Sequence, residues 1–455
     1  MLKLARALHS YGYSAPRLEG ILGATADRLG LYGHRFFSMP TQIMAAFGPE
    51  SRQYTHLLRV EPGEVNLAKL AALEQVSLDV AHGRVSPREG MAHIQRIVAA
   101  PSPYSPPLVT LAFGVLSGAV CQFLGGGWHE IIVATVLGLG LGLFALYAER
   151  HARISRVFES LAAFLLSATA IGLARFVGPI SVFVATLSGL IVLMPGLLLT
   201  TAITELATRH LASGTLRLSS AFMTLLGIVF GVALGTKLGV AVFGAPIGHP
   251  AETLPGWVAI VAVPLASGTL RLSSAFMTLL GIVFGVALGT KLGVAVFGAP
   301  IVQPAGALPG WTAIVAVPLA SASSAVILRA DPRDAPWIVA AGVLGVVAGR
   351  VGATHLGLEL GMFVAALGVA LASSAYERWR QRPAPVVLVP GILLLVPGSI
   401  GYRSMASLME RDTVSGIDTA FTMILTAVSL VAGLLIAGVL VPEPTPTTTP
   451  APLTP

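Results

Sequence analysis

Charged residues are scarce in this chain: Asp, Glu, Lys and Arg make up 11% of its 455 residues, against about a quarter in an ordinary soluble protein. The shortage excludes a water-soluble fold for most of the length. Cysteine is nearly absent. The one cysteine, Cys121, lies in an apolar run, so neither a disulfide framework nor a thiolate metal site is available. No metal-ligand cluster, phosphate-cradling glycine loop or nucleophile elbow occurs, so we assign no catalytic residue, cofactor or metal and expect no enzyme. The first thirty residues lack a continuous apolar core with a small-residue cleavage site, so no signal peptide is expected. A net charge of +7 would suit nucleic acid, but the excess sits largely in short loops between apolar runs, which excludes that partner and points to a lipid bilayer.

What the chain has instead is apolar length. Residues 1–106 hold 19 of the 49 charged residues and read as a small α/β domain. Its helices are predicted at Leu2–Ser10, Pro16–Leu29, Leu67–His82 and Pro87–Val98, its strands at His34–Ser38, Gln42–Phe47 and Tyr54–Val60. Ser86, Pro87 and Glu89 form a capping-box signature for the last helix. His9, His56, His82 and His93 are scattered and fit core or surface roles. After the Pro-rich linker 101–107 come apolar runs near 107–124, 130–148, 157–174, 176–200, 218–244, 256–267, 272–298, 310–328, 337–354, 356–376, 386–402 and 417–441. Most approach the roughly 20 residues that cross a bilayer core. The Pro/Thr-rich tail 442–455 is expected to be disordered.

With residues 1–106 in the cytosol, inside loops carry Arg150, Arg153, Arg156, Arg209, Arg217, Arg271, Arg329, Arg333, Arg378, Arg380 and Arg382. Outside segments carry Arg175, Arg403 and Arg411, with Arg350 near that face. This imbalance obeys the positive-inside rule along the whole chain.

Two repeats organise the membrane part. Leu211–Ile247 recurs without a change as Leu265–Ile301, a tandem duplication that adds about two segments and preserves the orientation of everything downstream. Residues 107–244 are then a first transmembrane half, 245–309 the duplicated extra segment and 310–441 the second half. The older repeat matches Gly189–Gly196 to Gly391–Gly398, and carries on to pair Leu206, Arg209, Ser213 and Gly214 with Leu408, Arg411, Ser415 and Gly416. Without the duplication ten helices remain, with these motifs in the fourth and the ninth. They therefore cross in opposite directions, which predicts ten to twelve helices arranged as two inverted five-helix halves, an architecture of secondary transporters.

Pro-Gly within an apolar helix frees backbone carbonyls, which lipid tolerates only where protein or a wet cavity covers them. Substrate-path and gate candidates are therefore Pro195, Gly196, Thr200, Thr201, Thr204 and Glu205 after the first break. Around the second they are Pro390, Gly391, Pro397, Gly398, Ser399, Tyr402 and Arg403, with Ser404 beside them. The competing reading is a plain kink, with Thr200 and Ser399 bonding to their own backbone. Among ionisable residues in or beside spans (Glu159, Lys237, Lys291, Arg350, His355, Glu359, Asp418), Glu359 and Asp418 are the proton-coupling candidates, because desolvated carboxylates can titrate; snorkelling accounts for the others. Gly227, Gly231, Gly235 and Gly239 form a smooth face for helix packing.

The ordered set Ala7–Gly12, Arg17–Glu19, Met39–Thr41, Arg59–Gly63 and Ser86–Glu89, followed by Met194–Thr200 with Ser213-Gly214 and by Val389–Ser399, resembles the threonine/serine exporter family of the ThrE type. The likeness covers nearly all of residues 3–441. It implies a cytosolic region followed by ten helices in a bacterial cytoplasmic membrane. The implied activity is export of small hydroxy amino acids at the expense of the proton gradient, as an antiport. Family members carry Asn and Asp where this chain has Thr201 and Glu205. The alternatives are a sensor or scaffold, or a membrane enzyme, using residues 1–106. Self-association into a homo-oligomer is left open.

Overall fold

The computed structural model describes residues 1–61, 63–155, 157–177, 180–243, 308–309, 311–396, 398–409 and 413–441. The expected elements of the N-terminal region are present, with ends moved by a residue or so. Helices α1 (Leu2–Ser10) and α2 (Ala15–Arg28) precede an antiparallel sheet of β1 (Arg35–Met39), β2 (Gln42–Phe47) and β3 (Tyr54–Arg59), and α3 (Leu67–Ala81) and α4 (Pro87–Ala99) follow it. Leu18 and Leu22, one turn apart on α2, meet Leu8, Leu73 and Ile43 of β2 in a core without solvent exposure. At the start of α4 the Glu89 N–H donates to Ser86 Oγ, and the Ser86 N–H donates back to the Glu89 carboxylate at 3.1 Å, closing the expected capping box.

The rest is a bundle of apolar helices. These are α5 (Pro106–Phe123), α6 (Trp128–Glu149), the short α7 (Ala152–Ser155), α8 (Phe158–Val177), α9 (Val182–Gly189), α10 (Gly196–Ala207) and α11 (Leu211–Phe243). Further along come α12 (Thr312–Ile327), α13 (Ala335–Leu356), α14 (Leu358–Arg380), α15 (Pro385–Leu393), α16 (Gly398–Met409) and α17 (Thr413–Leu440). Among the described residues seven segments are long and apolar enough to cross a bilayer, α15 and α16 counting as one. The pair α9–α10, bent by 53°, makes up to eight, and the bundle also holds two shorter apolar helices, one within α8 and one α12. The chain is a polytopic helical membrane protein. The second copy of the tandem repeat, the expected runs 256–267 and 272–298, and the tail 442–455 lie outside the described residues.

Buried apolar side chains collect in two main bundle clusters. One draws on residues between Phe113 and Val229, joined by Tyr402; the other runs from Ala325 to Leu430 and takes in Leu67 of α3. The glycine face of α11 lies against α8. A methyl group at Gly231 would collide with the Ser160 carbonyl, one at Gly235 with the Phe164 carbonyl, and one at Gly239 would press on Ile171. Small residues let backbones approach where lipid supplies no hydrophobic drive.

The N-terminal region is joined to the bundle through helix ends. The first two N–H groups of α3, Leu67 and Ala68, donate to the carbonyls of Leu328 and Arg329 at the end of α12, at 3.0 and 3.1 Å. Donors and acceptors that each helix leaves unsatisfied thus satisfy one another. The N–H of Ala15, at the start of α2, donates to Glu205 at 2.9 Å. Glu205 has no solvent exposure and also accepts two bonds of 3.1 Å from Arg217 Nε. Arg217 is therefore not the loop charge expected: α11 starts at Leu211 and not near 218, and Arg217 within it turns to the buried Glu205.

Two outcomes follow. Gly235→Leu should prevent the α8–α11 contact and leave little monodisperse protein in detergent, while Gly140→Leu, a position with open space around it, should behave like the parent. Arg217→Leu should destabilise by about 3–5 kcal/mol, the usual cost of stranding a buried charge. Adding Glu205→Leu should recover much of that loss in a thermal-unfolding cycle, and a strictly additive double variant would refute the pairing.

Candidate functional site

The two Pro-Gly breaks meet in the middle of the bundle. After α9 the chain makes a single 3-10 turn, Ile191–Leu193, and Pro195 then stands as the N-cap of α10, so the first motif separates two helices and is more than a plain kink. Gly196 and Gly398 face each other: a Cβ on Gly398 would lie 3.0 Å from Met194 Cβ and 3.5 Å from Gly196 Cα, and one on Gly196 would overlap Val396. Only glycine permits that crossing. Pro390 and Gly391 are buried within α15, Gly391 against Val369 and Ala341. Pro397 lies outside the described residues.

Beside the crossing is a cavity of about 300 Å³. The helix that follows the first break, α10, lines it with Leu197, Thr200, Thr201 and Thr204; the helix containing the second motif, α15, lines it with Pro385, Leu388, Val389 and Ile392. Ser373, Ser374 and Glu377 of α14 form another wall, and Tyr13, Ser14 and Arg17 of the N-terminal region close it.

The threonine hydroxyls differ in their bonding. Thr201 donates to the Leu197 carbonyl and Thr204 to that of Thr200, each at 2.8 Å, in the manner of helix back-bonding. Thr200 is 2% exposed, and among the described residues its hydroxyl has no hydrogen-bond partner. A buried polar group in that state is costly unless something else satisfies it. On the facing wall the Ser373 and Ser374 hydroxyls bond to the carbonyls of Val369 and Ala370.

Charge enters from the N-terminal side. Arg17 donates to Glu74 at 3.0 Å and to Glu377 at 3.3 Å. Tyr13 donates a very short bond to the other Glu74 oxygen, and its ring lies 5.9 Å from the Arg17 guanidinium. Burial, and then the Glu74 charge, hold the Tyr13 phenol well above its ordinary pKa, so it stays a donor. Nearby, Glu19 accepts from the Ser38 N–H at 2.7 Å and lies 3.5 Å from His210. Burial raises its pKa against the opposing pull of those two partners.

The expected residues therefore divide. Thr200, Thr201 and Thr204 line the cavity. Glu205 sits one turn on and ties α10 to α2 and α11. Tyr402, on α16, is buried against Phe183 of α9 with ring centroids 5.9 Å apart, Ser404 donates to the Gly416 carbonyl at 2.7 Å, Ser399 is half-buried and Arg403 is exposed. None of those four lines the cavity. Glu359, in the first turn of α14, and Asp418, exposed on α17, are also absent from its walls. Sequence reasoning missed Tyr13, Arg17 and Glu377. Arg17 stands in a motif of the family resemblance, but its partner is 360 positions away, a separation no local pattern encodes.

Comparison with known proteins agrees with this architecture. The chain matches the threonine/serine exporter model ThrE over residues 1–239 and a second threonine/serine exporter model over residues 313–440. It is similar to the yeast pheromone-regulated membrane protein 10. Identity is 28% over 248 residues in Debaryomyces hansenii and 29% over 248 residues in Pichia sorbitophila, in each case 52% of this chain and 24% of the relative. In Candida albicans it is 29% over 244 residues, 52% of this chain and 22% of the relative. The alignments thus span about a quarter of these relatives' length. No solved structure matches. The family models reach from α1 to α17, taking in both Pro-Gly breaks and the cavity between them, and the chain belongs to the threonine/serine exporter family.

Proposed function

We propose that the chain is a secondary transporter that exports small hydroxy amino acids, threonine or serine, and that the cavity between α10, α14, α15 and the N-terminal region is its substrate site. The observation that carries this reading is the unpartnered, buried Thr200 hydroxyl in a cavity that also presents a guanidinium and a carboxylate. A zwitterion with a hydroxyl side chain complements that set: anion to Arg17, cation to Glu377, hydroxyl to Thr200. The volume of about 300 Å³ stands at the small end of ligand pockets, which run from roughly 300 to 1,000 Å³.

Two inverted halves fit the way the motifs are used. The half-helix after the first break and the half-helix before the second share one cavity, while α9 and α16 meet away from it through Phe183 and Tyr402. Chains crossing in opposite directions would give this sharing. Arg217, Arg329 and Arg382 all gather where the N-terminal region docks, paired with Glu205, with Glu64 and Glu149, and with Asp331 and Asp334. The positive-inside rule makes that face cytosolic. In a bacterium the site is then loaded from the cytoplasm and emptied across the inner membrane, with the proton gradient as the drive.

Cells expressing the protein should release preloaded threonine faster than control cells, and a protonophore should slow the release. Thr200→Val, which keeps shape and removes the hydroxyl, should lower threonine efflux about tenfold, as loss of a hydrogen bond of roughly 1.4 kcal/mol does; unchanged efflux from correctly inserted protein would remove the assignment. For the halves, cysteines introduced at Ala207 and Met409 should react with impermeant reagent from opposite sides. Reaction from one side alone ends the inverted arrangement.

A further inference from the structure

We infer that Phe183 and Tyr402 plug a second, outward vestibule, the counterpart of the cavity, and that the buried Thr186 hydroxyl belongs to its lining. The inference rests on reading the cavity as the substrate site and the two halves as inverted. It adds the exit and the side chains that shut it.

The motifs Gly189–Gly196 and Gly391–Gly398 stand 202 positions apart, and packing recurs at that spacing. A methyl group at Gly231 of α11 would collide with the Ser160 carbonyl of α8, and one at Gly433 of α17 with the Phe363 carbonyl of α14. The corresponding helices run in opposite directions relative to the N-terminal region. Near the start of α11, Arg217 reaches the Tyr13 carbonyl at 3.5 Å. It is close to the end of α17, by contrast, that Leu434 and Ala437 join Tyr13 in the cavity wall. A cavity between α10 and α15 towards one face therefore has its counterpart between α16 and α9 towards the other.

That counterpart is filled. Phe183, Thr186 and Tyr402 stand 202 positions from Pro385, Leu388 and Thr200, and these last three all line the cavity. Where the cavity has a proline and a threonine, the other side has two rings with centroids 5.9 Å apart. Tyr402 is 3% exposed and belongs to the first cluster of buried residues. Thr186, one turn from Phe183, is equally buried, and among the described residues its hydroxyl has no hydrogen-bond partner. Entry of water or of a solute hydroxyl would satisfy it.

The N-terminal region closes the cavity and belongs to neither half, so on the outer face closure falls to side chains of the halves themselves. An aromatic pair suits that task. Beyond the area it buries, its contact shifts an equilibrium by only about two- to tenfold, and parting it strands no charge. Such a contact can open and re-form in every cycle.

The test uses the full chain in intact cells, in a Cys121→Ala background, with a membrane-impermeant maleimide added outside. Thr186→Cys, and Ser399→Cys as a second reporter, should react while cells export preloaded threonine and at least about tenfold more slowly in unloaded cells. His129→Cys, exposed at the start of α6, should react equally fast in both. Adding Phe183→Ala should raise the unloaded rate at the reporters about tenfold, whereas Phe183→Tyr, which keeps a ring, should leave it near the parent's. Reporters that never react from outside in cells that do export threonine overturn the plug and leave the substrate reading standing. One rate in loaded and unloaded cells, unmoved by Phe183→Ala, overturns it as well. If Phe183→Ala opens both reporters while neither threonine nor serine is exported, the plug stands and the hydroxy amino acid assignment falls. If no reporter reacts and nothing is exported, both fall.

Discussion

A carboxylate without solvent exposure must find its donors or cations inside the protein, and Glu205 finds them in two other helices at once. Its partners are the first N–H of α2 and the guanidinium of Arg217 on α11, while Glu205 itself rides on α10. One ion therefore sets the distance between the N-terminal region and the helix that carries the threonines. Arg217 adds a bond to the Tyr13 carbonyl, placing that residue, and through it Glu74 and Arg17, over the cavity. The wall that closes the cavity is held by this charge and these hydrogen bonds together with the apolar contact of Leu67 in the second cluster. The buried ion pair in such a contact is specific in register and costly to leave half-made.

The glycines at the crossing serve a different end. Gly196 and Gly398 allow two backbones to approach within the reach of a methyl group. Pro195, lacking an N–H to continue a helix, stands as the N-cap of α10. The first break is a separation of helices with a 53° change of direction, which turns α10 so that a threonine face looks into protein instead of lipid. That explains how an apolar span can end in Thr200, Thr201 and Thr204 without exposing them to hydrocarbon.

Much of this was legible in the residues, and the limits have physical causes. Local signals survived: the Ser86–Glu89 box and the every-fourth glycines of α11 both report on interactions within a turn or on one face, which sequence periodicity records directly. The Pro-Gly motifs announced breaks for the same reason. What failed was the reading of where spans end. Arg217 was taken for a loop charge outside the span because polarity usually marks such places, yet it lies within α11 and pairs with the buried Glu205. Arg17 and Glu377 were invisible as a pair, since charge compensation across 360 residues leaves no trace in either neighbourhood. Thr200 was named beside Thr201 and Thr204, but only the packed structure tells an orphan hydroxyl from two that are satisfied at home.

The head-to-tail seam between α12 and α3 bears on mechanics. Carbonyls of Leu328 and Arg329 are spoken for by amides of Leu67 and Ala68, and Leu67 is sunk in the second cluster of buried residues. Torque on α12 is therefore felt by the N-terminal region as by the far end of a coupled shaft. The N-terminal region is geared to α12 by this seam and to α10 and α11 by Glu205, so those helices cannot shift against each other without shearing the piece that bridges them.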